Sequence, residues 1–344
     1  MTREISFANA INEAIKMAMR KDETVILLGE DVAGGAEVDH LANDEAWGGV
    51  MGVTRGLVQE FGRSRVLDTP ISEAGFIGAA VGAASTGLRP IAELMFNDFA
   101  GTCLDQILNQ GAKLRYMFGG KAQVPLTIRT MHGAGNRAAA QHSQSLYAIF
   151  THIPGIKVVV PSTPADAKGL LFTSIEDNDP VIFFEDKTLY GITGAVPEDY
   201  YKIPFGKADI KRQGTDLTIV AIGKQVYTAL AAADRLAKMG IQIEVVDPRT
   251  LSPLDEETIL ASVDKTNRLI VIDEANPRCS MATDIAAMVA DRGFDSLDAP
   301  IKRVTAPHTP VPFASNLEDL YLPSPEKVIK TVSELLGDES IASI

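Results

Sequence analysis

Seven short apolar runs, set off by longer stretches of helical periodicity, limit this chain to a narrow set of folds. The runs cover 25–28, 124–129, 157–160, 181–184, 217–222, 243–246 and 269–272, and most are continuously apolar rather than alternating. A continuous run fits a strand covered by helices on both faces, the condition inside a parallel α/β sheet. Thr163-Pro164-Ala165-Asp166 supplies an N-cap hydroxyl, a proline at the first helical position and an acid for the first turn. Ser252-Pro253-Leu254-Asp255 offers the same device, and both tetrads follow a run, as at a strand-to-helix junction. Gly240 is placed to end the helical stretch before the run at 243–246. The fold class expected is therefore α/β.

At roughly 150 residues per domain, a chain of 344 residues predicts two domains. The stretch 187–206 is rich in Tyr, Gly and Pro and lacks clear periodicity. It is the expected linker between an α/β domain at 1–190 and a smaller one at 205–340. A net charge of −13 speaks against nucleic acid or an anionic membrane as partner, because both require clustered Lys and Arg. No run approaches the ~20 apolar residues of a membrane-spanning helix, and the N-terminal segment is too polar for a signal peptide. Cys103 and Cys279 lie far apart, without a CxxC or a histidine at ligand spacing. Two buried, reduced thiols in a cytoplasmic protein are expected.

Four segments hold residues suited to chemistry. In Asp68-Thr69-Pro70-Ile71-Ser72-Glu73, Ser72 can cap a helix starting near Glu73, the only ionisable group between Asp68 and Arg89. Glu73 reads either as a first-turn acid meeting the helix dipole or as a carboxyl in an apolar pocket, able to share a proton with a ligand nitrogen. Gly75, Gly78 and Gly82 weaken that helix, which suggests close packing against another backbone. The segment from Glu93 to Phe99 carries aromatic residues, which more often fill a core than stack on a ligand, so taken alone it says little. After the run at 124–129 comes a glycine-rich loop flanked by His132 and His142, two of the five histidines. Parallel sheets put their sites after such strands, although the loop is neither GxGxxG nor a P-loop. The histidines read as structural hydrogen bonders or as proton carriers near neutral pH. Glu176-Asp177-Asn178-Asp179-Pro180 reads as an Asx-type turn, with oxygen ligation of a hard cation as the alternative.

The longer motifs carry a family resemblance. DTPISE with Glu73, ELMFNDF ending at Phe99, AAAQHSQ with His142, and HIPGIKVVVPSTPADAKGL from His152 resemble the β subunits of the thiamine-diphosphate component of pyruvate and branched-chain 2-oxo acid dehydrogenases. VDPRTLSPLD and VIDEANPRCSMATDIAA extend the likeness over nearly the whole chain. The resemblance implies a pyrimidine-binding α/β domain with a parallel sheet, followed by a transketolase C-terminal-like α/β domain. It implies that Glu73 hydrogen-bonds the aminopyrimidine ring of thiamine diphosphate and that Phe99 packs against that ring. It also implies that His142, with His132 nearby in sequence, handles substrate protons and acyl transfer. Leu126, Ser174, Ile175, Asp177 and Asp179 match positions where some relatives hold a potassium ion, with Asp179 standing where an Asn is expected. The family's diphosphate- and magnesium-binding motif, GDG followed by Asn, is absent from this chain. In the family it lies on an α subunit, so the resemblance implies an α2β2 heterotetramer, magnesium held mainly by α, and a lipoyl acyltransferase core as partner.

Within that family the segment after Gly29-Glu30-Asp31-Val32, AGGAEVDHLANDEAWGGVMGVTRGL, resembles acetoin dehydrogenase β subunits. FNDFAGTCLDQILNQGAKLRYMFGGKA and APHTPVPFASNLEDLY do the same. The implied reaction cleaves acetoin to acetaldehyde and a hydroxyethyl unit on the cofactor, which passes to the lipoyl arm. A pyruvate or branched-chain 2-oxo acid component is the alternative in the same class, because few residues can decide substrate choice. A non-catalytic scaffold subunit is the alternative of another class, and the joint presence of Glu73 and His142 in intact motifs speaks against it.

Overall fold

The computed structural model describes residues 2–34 and 47–343. Residues 35–46, within the acetoin-type segment named above, lie outside the described residues. The chain divides into two compact units, Met1–His132 with Ile149–Phe205, and Gly133–Ala148 with Gly206–Ile344. The loop Gly133–Ala148 thus groups with the second unit, although the sequence placed it inside the first domain.

In the first unit, β1 (Thr2–Ser6) leads into α1 (Phe7–Lys21), whose N-cap Ser6 accepts a hydrogen bond from the Asn9 N–H. Then come β2 (Val25–Gly29), α2 (Leu57–Phe61), β3 (Val66–Asp68), α3 (Glu73–Ser85) and β4 (Arg89–Phe96). They are followed by α4 (Leu114–Met117), β5 (Thr127–His132), α5 (Tyr147–Thr151, of which Ile149 onward belongs to this unit), β6 (Lys157–Val159), α6 (Pro164–Glu176), β7 (Val181–Asp186) and β8 (Thr193–Pro197). Strands β6-β7-β5-β4-β2-β3 lie side by side and pair in parallel, whereas β1 and β8 form an antiparallel pair of their own. Phe7, Ile11 and Ile15 of α1 and Leu170, Leu171 and Ile175 of α6 share a core with Val25, Leu27, Ile91 and Phe183 of the sheet. Each such side chain, fully buried, contributes about 1.5–3 kcal/mol.

The second unit holds β9 (Asp209–Arg212), β10 (Leu217–Ala221), α7 (Gln225–Ala237), β11 (Ile243–Asp247), β12 (Thr250–Ser252) and α8 (Glu256–Thr266). It continues with β13 (Leu269–Asp273), α9 (Met281–Arg292), β14 (Lys302–Thr305), α10 (Ser315–Tyr321) and α11 (Pro325–Leu336). Its five-stranded sheet runs β14-β13-β10-β11-β9, parallel except for the edge strand β9. Val226, Ala229, Ala233 and Leu236 of α7 and Val328, Ile329 and Val332 of α11 pack onto Leu217, Ile219, Ile243 and Ile270.

All seven apolar runs lie on strands, but the strand inventory is longer. β4 escaped a reading based on continuous apolarity because Glu93 interrupts it; that carboxylate is neutralised across the sheet by Arg129 of β5. β5 runs from Thr127 to His132, beginning and ending three residues later than its apolar run suggested. Pro125, inside the run, offers no N–H to a ladder. The expected linker at 187–206 contains β8, paired with β1.

The Thr163 signal works as read: its hydroxyl accepts from the Asp166 N–H, with Pro164 in the first turn. At the second junction the cap is Asp255, which accepts from the Thr258 N–H, while Ser252 ends β12. Ser72 occupies the N-cap position of α3 without a side-chain cap bond. The α3 glycines meet no other backbone: a Cβ at Gly78 would approach the Gln106 side chain, and one at Gly82 would meet nothing within 4 Å. Cys103 is buried as expected, but Cys279 is exposed, on a residue with φ of 49°. Among the described residues no helix is long and apolar enough to cross a membrane.

One acid on α6 gives the first unit a defined response to pH. Burial alone would push the Glu176 carboxyl up, but hydrogen bonds from Lys21, Tyr200 and Lys202 outweigh it and hold it down from 4.5 to about 2. The Lys21 and Lys202 ammonium groups stand 2.7 and 3.1 Å from its oxygens. A depressed carboxylate stabilises the fold above its unfolded value, and that stability is lost as pH falls towards the folded one. Glu176→Gln is therefore expected to lower the melting temperature near neutral pH, through a stability loss on the order of 1 kcal/mol once solvent screening is allowed for. The gap to wild type should close between pH 4.5 and about 2. A gap that stays constant over that window would contradict the assignment.

Candidate active site

The polar groups of the first unit gather at the carboxyl ends of its parallel strands, where open α/β sheets place ligands. Glu30 directly follows β2, Glu73 follows β3 at the start of α3, Asn97 to Phe99 follow β4, and His132 ends β5. Glu73 is partly buried, and its Oε2 lies 3.4 Å from the Thr102 hydroxyl. That hydroxyl donates to the Phe99 carbonyl oxygen at 2.8 Å, so Thr102 joins the acid to the aromatic segment. The Phe99 ring stands edge-on to Phe96 with centroids 5.5 Å apart. Glu73 and Phe99, far apart in sequence, therefore belong to one cluster.

Glu30 belongs to it as well, although the sequence did not single it out. It is 8% exposed, and its Oε1 is buried without a hydrogen-bond partner among the described residues. Burial first, and then the nearby charges of Glu73, Asp31 and Glu93, push its carboxyl up. The signal was present in the sequence: an acid immediately after a continuous apolar run. Burial, with a smaller push from Glu73, also raises the Cys103 thiol to about 12, which keeps it protonated at neutral pH.

Behind the cluster lies a buried ion network. Arg129 of β5, 1% exposed, donates through Nε and Nη2 to Glu185 at 2.7 and 2.8 Å and through Nη1 to Glu93 at 2.7 Å. The Tyr190 hydroxyl donates to Glu185 at 2.7 Å. His132 is 2% exposed, edge-on to Phe184 at 5.7 Å and close to the buried carboxylate of Asp186. His142 lies in the second unit, partly buried on the loop Gly133–Ala148.

The potassium positions converge on the turn after α6. Its Asx character is plain: the Asp179 N–H donates to Asp177 Oδ1 at 2.8 Å. Protein cations already serve these oxygens. Arg89 donates to the carbonyls of Ile175 and Asp177 at 3.1 and 2.9 Å. Lys157 reaches the carboxylates of Asp177 and Asp179 at 2.7 and 3.3 Å, and Arg115 reaches Asp179 at 2.7 Å. The carbonyls of Leu126 and Ser174 accept from the N–H groups of Val181 and Asp177. Three cationic side chains already seated on these oxygens do not fit a further bound cation.

Two family models match the chain: "Transketolase, pyrimidine binding domain" over residues 3–193 and "Transketolase, C-terminal domain" over residues 206–328. A solved structure titled "Split gene transketolase, inactive beta4 tetramer" superposes with a TM-score of 0.76 over 97% of this chain and 98% of that one, at 21% identity. The matched family models and the fold define a transketolase-type chain with a pyrimidine-binding unit. Among curated relatives, the "Acetoin:2,6-dichlorophenolindophenol oxidoreductase subunit beta" of Bacillus subtilis is 73% identical over 99% of this chain and 100% of its own length. The protein of the same name from Cupriavidus necator is 60% identical over 95% and 96%. The "Pyruvate dehydrogenase E1 component subunit beta" of Rickettsia felis is 45% identical over 96% and 98%. The chain belongs to this thiamine-diphosphate-dependent family of dehydrogenase β subunits.

The cluster fits the family's cofactor. A carboxylate at the start of α3, an aromatic segment tied to it and the buried, unpartnered oxygen of Glu30 are the donor and wall chemistry that a flat, nitrogen-bearing ring calls for.

Proposed function

We propose that this chain is the β subunit of a cytoplasmic acetoin dehydrogenase that cleaves acetoin to acetaldehyde and a two-carbon unit passed to a lipoyl acyltransferase. The observation that carries the reading is the joining of Glu73 to Phe99 through Thr102 at the strand ends. The substrate assignment rests on 73% identity to an acetoin enzyme against 45% to a pyruvate enzyme over nearly the same span.

When bound, thiamine diphosphate supplies the carbon nucleophile and electron sink for breaking a carbon–carbon bond beside a carbonyl. Glu73 hydrogen-bonds a nitrogen of the aminopyrimidine and moves a proton at that atom. Phe99 forms an apolar wall for the same ring. His142 takes the hydroxyl proton of acetoin as acetaldehyde leaves; its partly exposed position on a loop suits that task better than the core position of His132. The GDG motif that would hold diphosphate and magnesium is absent from this sequence, so an α subunit supplies it, in an α2β2 assembly.

Co-expression with the α subunit, followed by assays on acetoin, pyruvate and 2-oxoisovalerate with an artificial electron acceptor, tests the reading. Acetoin is expected to give the highest kcat/KM, by about tenfold to 200-fold, the discrimination that small differences in a pocket allow. Turnover of pyruvate with none of acetoin would assign the chain to the 2-oxo acid branch instead.

A further inference from the structure

The loop that carries His142 is held in a conformation it would not adopt alone. Gly133 and Gly135 have φ of 89° and 114°, and Arg137 and Ala139 have φ of 57° and 60°. Glycine accepts the left-handed region freely, whereas Arg and Ala do so at a cost, and such residues persist only where their surroundings hold them. The holding group comes from α10. The Glu318 side chain is fully buried; its Oε1 accepts from the Gly135 N–H at 2.8 Å and its Oε2 from the Arg137 N–H at 3.2 Å. The Arg137 guanidinium also donates to Glu318, and to Asp319 at 2.7 Å. Two N–H groups converging on one carboxylate around left-handed residues form an anion nest, filled here by a side chain of the same unit.

The base of the loop is tied separately. Glu274, just beyond β13, accepts from the Ala134 N–H at 3.1 Å and the Ser145 hydroxyl at 3.0 Å on one oxygen, and from Gln225 at 3.1 Å on the other. Lys224 donates to the Ala134 carbonyl at 2.8 Å, and the Tyr147 hydroxyl donates to Asp273. The Gly133 N–H closes the base onto the Gln144 carbonyl at 3.1 Å. With the base tied to Glu274, residues 135–137 on the approach to His142 are held by Glu318.

We infer that Glu318 is a positioning residue for His142: its buried carboxylate sets the backbone of residues 135–137, and through it the placement of the imidazole. The inference rests on the reading of His142 as the proton carrier. An anchor that served stability alone would leave turnover untouched in a folded variant, whereas a positioning residue acts on kcat through His142.

The test uses the enzyme assembled with its α subunit and compares Glu318→Ala, Glu318→Gln, His142→Ala and the double variant Glu318→Ala/His142→Ala. Glu318→Ala is expected to lower kcat for acetoin by about 10²-fold, the scale for a misplaced catalytic group, with KM little changed. Glu318→Gln keeps the size and one acceptor oxygen, so it should fold and lose less. In the His142→Ala background the Glu318→Ala loss should shrink to about twofold or less, because groups acting as a unit are not additive. Wild-type kcat in both Glu318 variants, or an equal fold-loss in both backgrounds, would overturn the inference. Should His142→Ala itself keep full activity, the reading of His142 fails and the role of Glu318 falls with it. Loss in His142→Ala beside wild-type kcat in the Glu318 variants overturns the positioning role alone.

Discussion

Glu73→Gln is expected to reduce acetoin turnover of the assembled enzyme by about 10²–10⁴-fold, the range supplied by a positioned proton-transfer group. The amide keeps the size of the carboxyl and its place beside Thr102, but it cannot exchange a proton with a ring nitrogen. Folding should be nearly unaffected, because Glu73 is only partly buried and its contact with the Thr102 hydroxyl is long at 3.4 Å. The measurement is kcat with acetoin alongside a thermal melt. Unchanged turnover would remove the catalytic reading and leave Glu73 as a first-turn acid meeting the helix dipole.

The largest expected effect on stability lies in the buried network behind the cluster. Arg129→Met removes the guanidinium that serves Glu93 and Glu185 and leaves two carboxylates facing each other in the sheet core. Breaking a buried pair by deleting one partner costs about 3–5 kcal/mol, because an uncompensated charge stays behind. Burial already pushes the Glu93 carboxyl up, with Arg129 opposing it, so removing the arginine drives Glu93 further towards its neutral form. The urea midpoint should fall accordingly. The triple variant Arg129→Met with Glu93→Gln and Glu185→Gln should recover much of the loss, since it deletes the charges together. A single variant as stable as wild type would show that the network contributes little.

Both predictions come from groups whose importance is visible to different degrees in the chain itself. Glu73 stands out in the sequence as the only ionisable residue in an apolar stretch that starts with a capping signal. Arg129, by contrast, was the polar end of an apolar run, and its burial became legible only once β4 and β7 flanked it. Glu30 was missed for a related reason: a lone acid after a strand is common, and only tertiary proximity to Glu73 makes it part of a site.

The sequence by itself determined the class of fold, the covered central strands and the family, because continuous apolar runs, capping tetrads and long motifs are local patterns. Glu73, Phe99 and His142 were all named from such patterns. The tertiary structure decided which of these residues share a unit. It joined Glu73 to Phe99 through Thr102 and grouped the His142 loop with Gly206–Ile344 rather than with the strand that precedes it. The reason is physical. A loop with left-handed Arg and Ala must be held by partners distant in sequence, and Glu318, 181 residues beyond Arg137, leaves no periodicity by which the sequence could announce it.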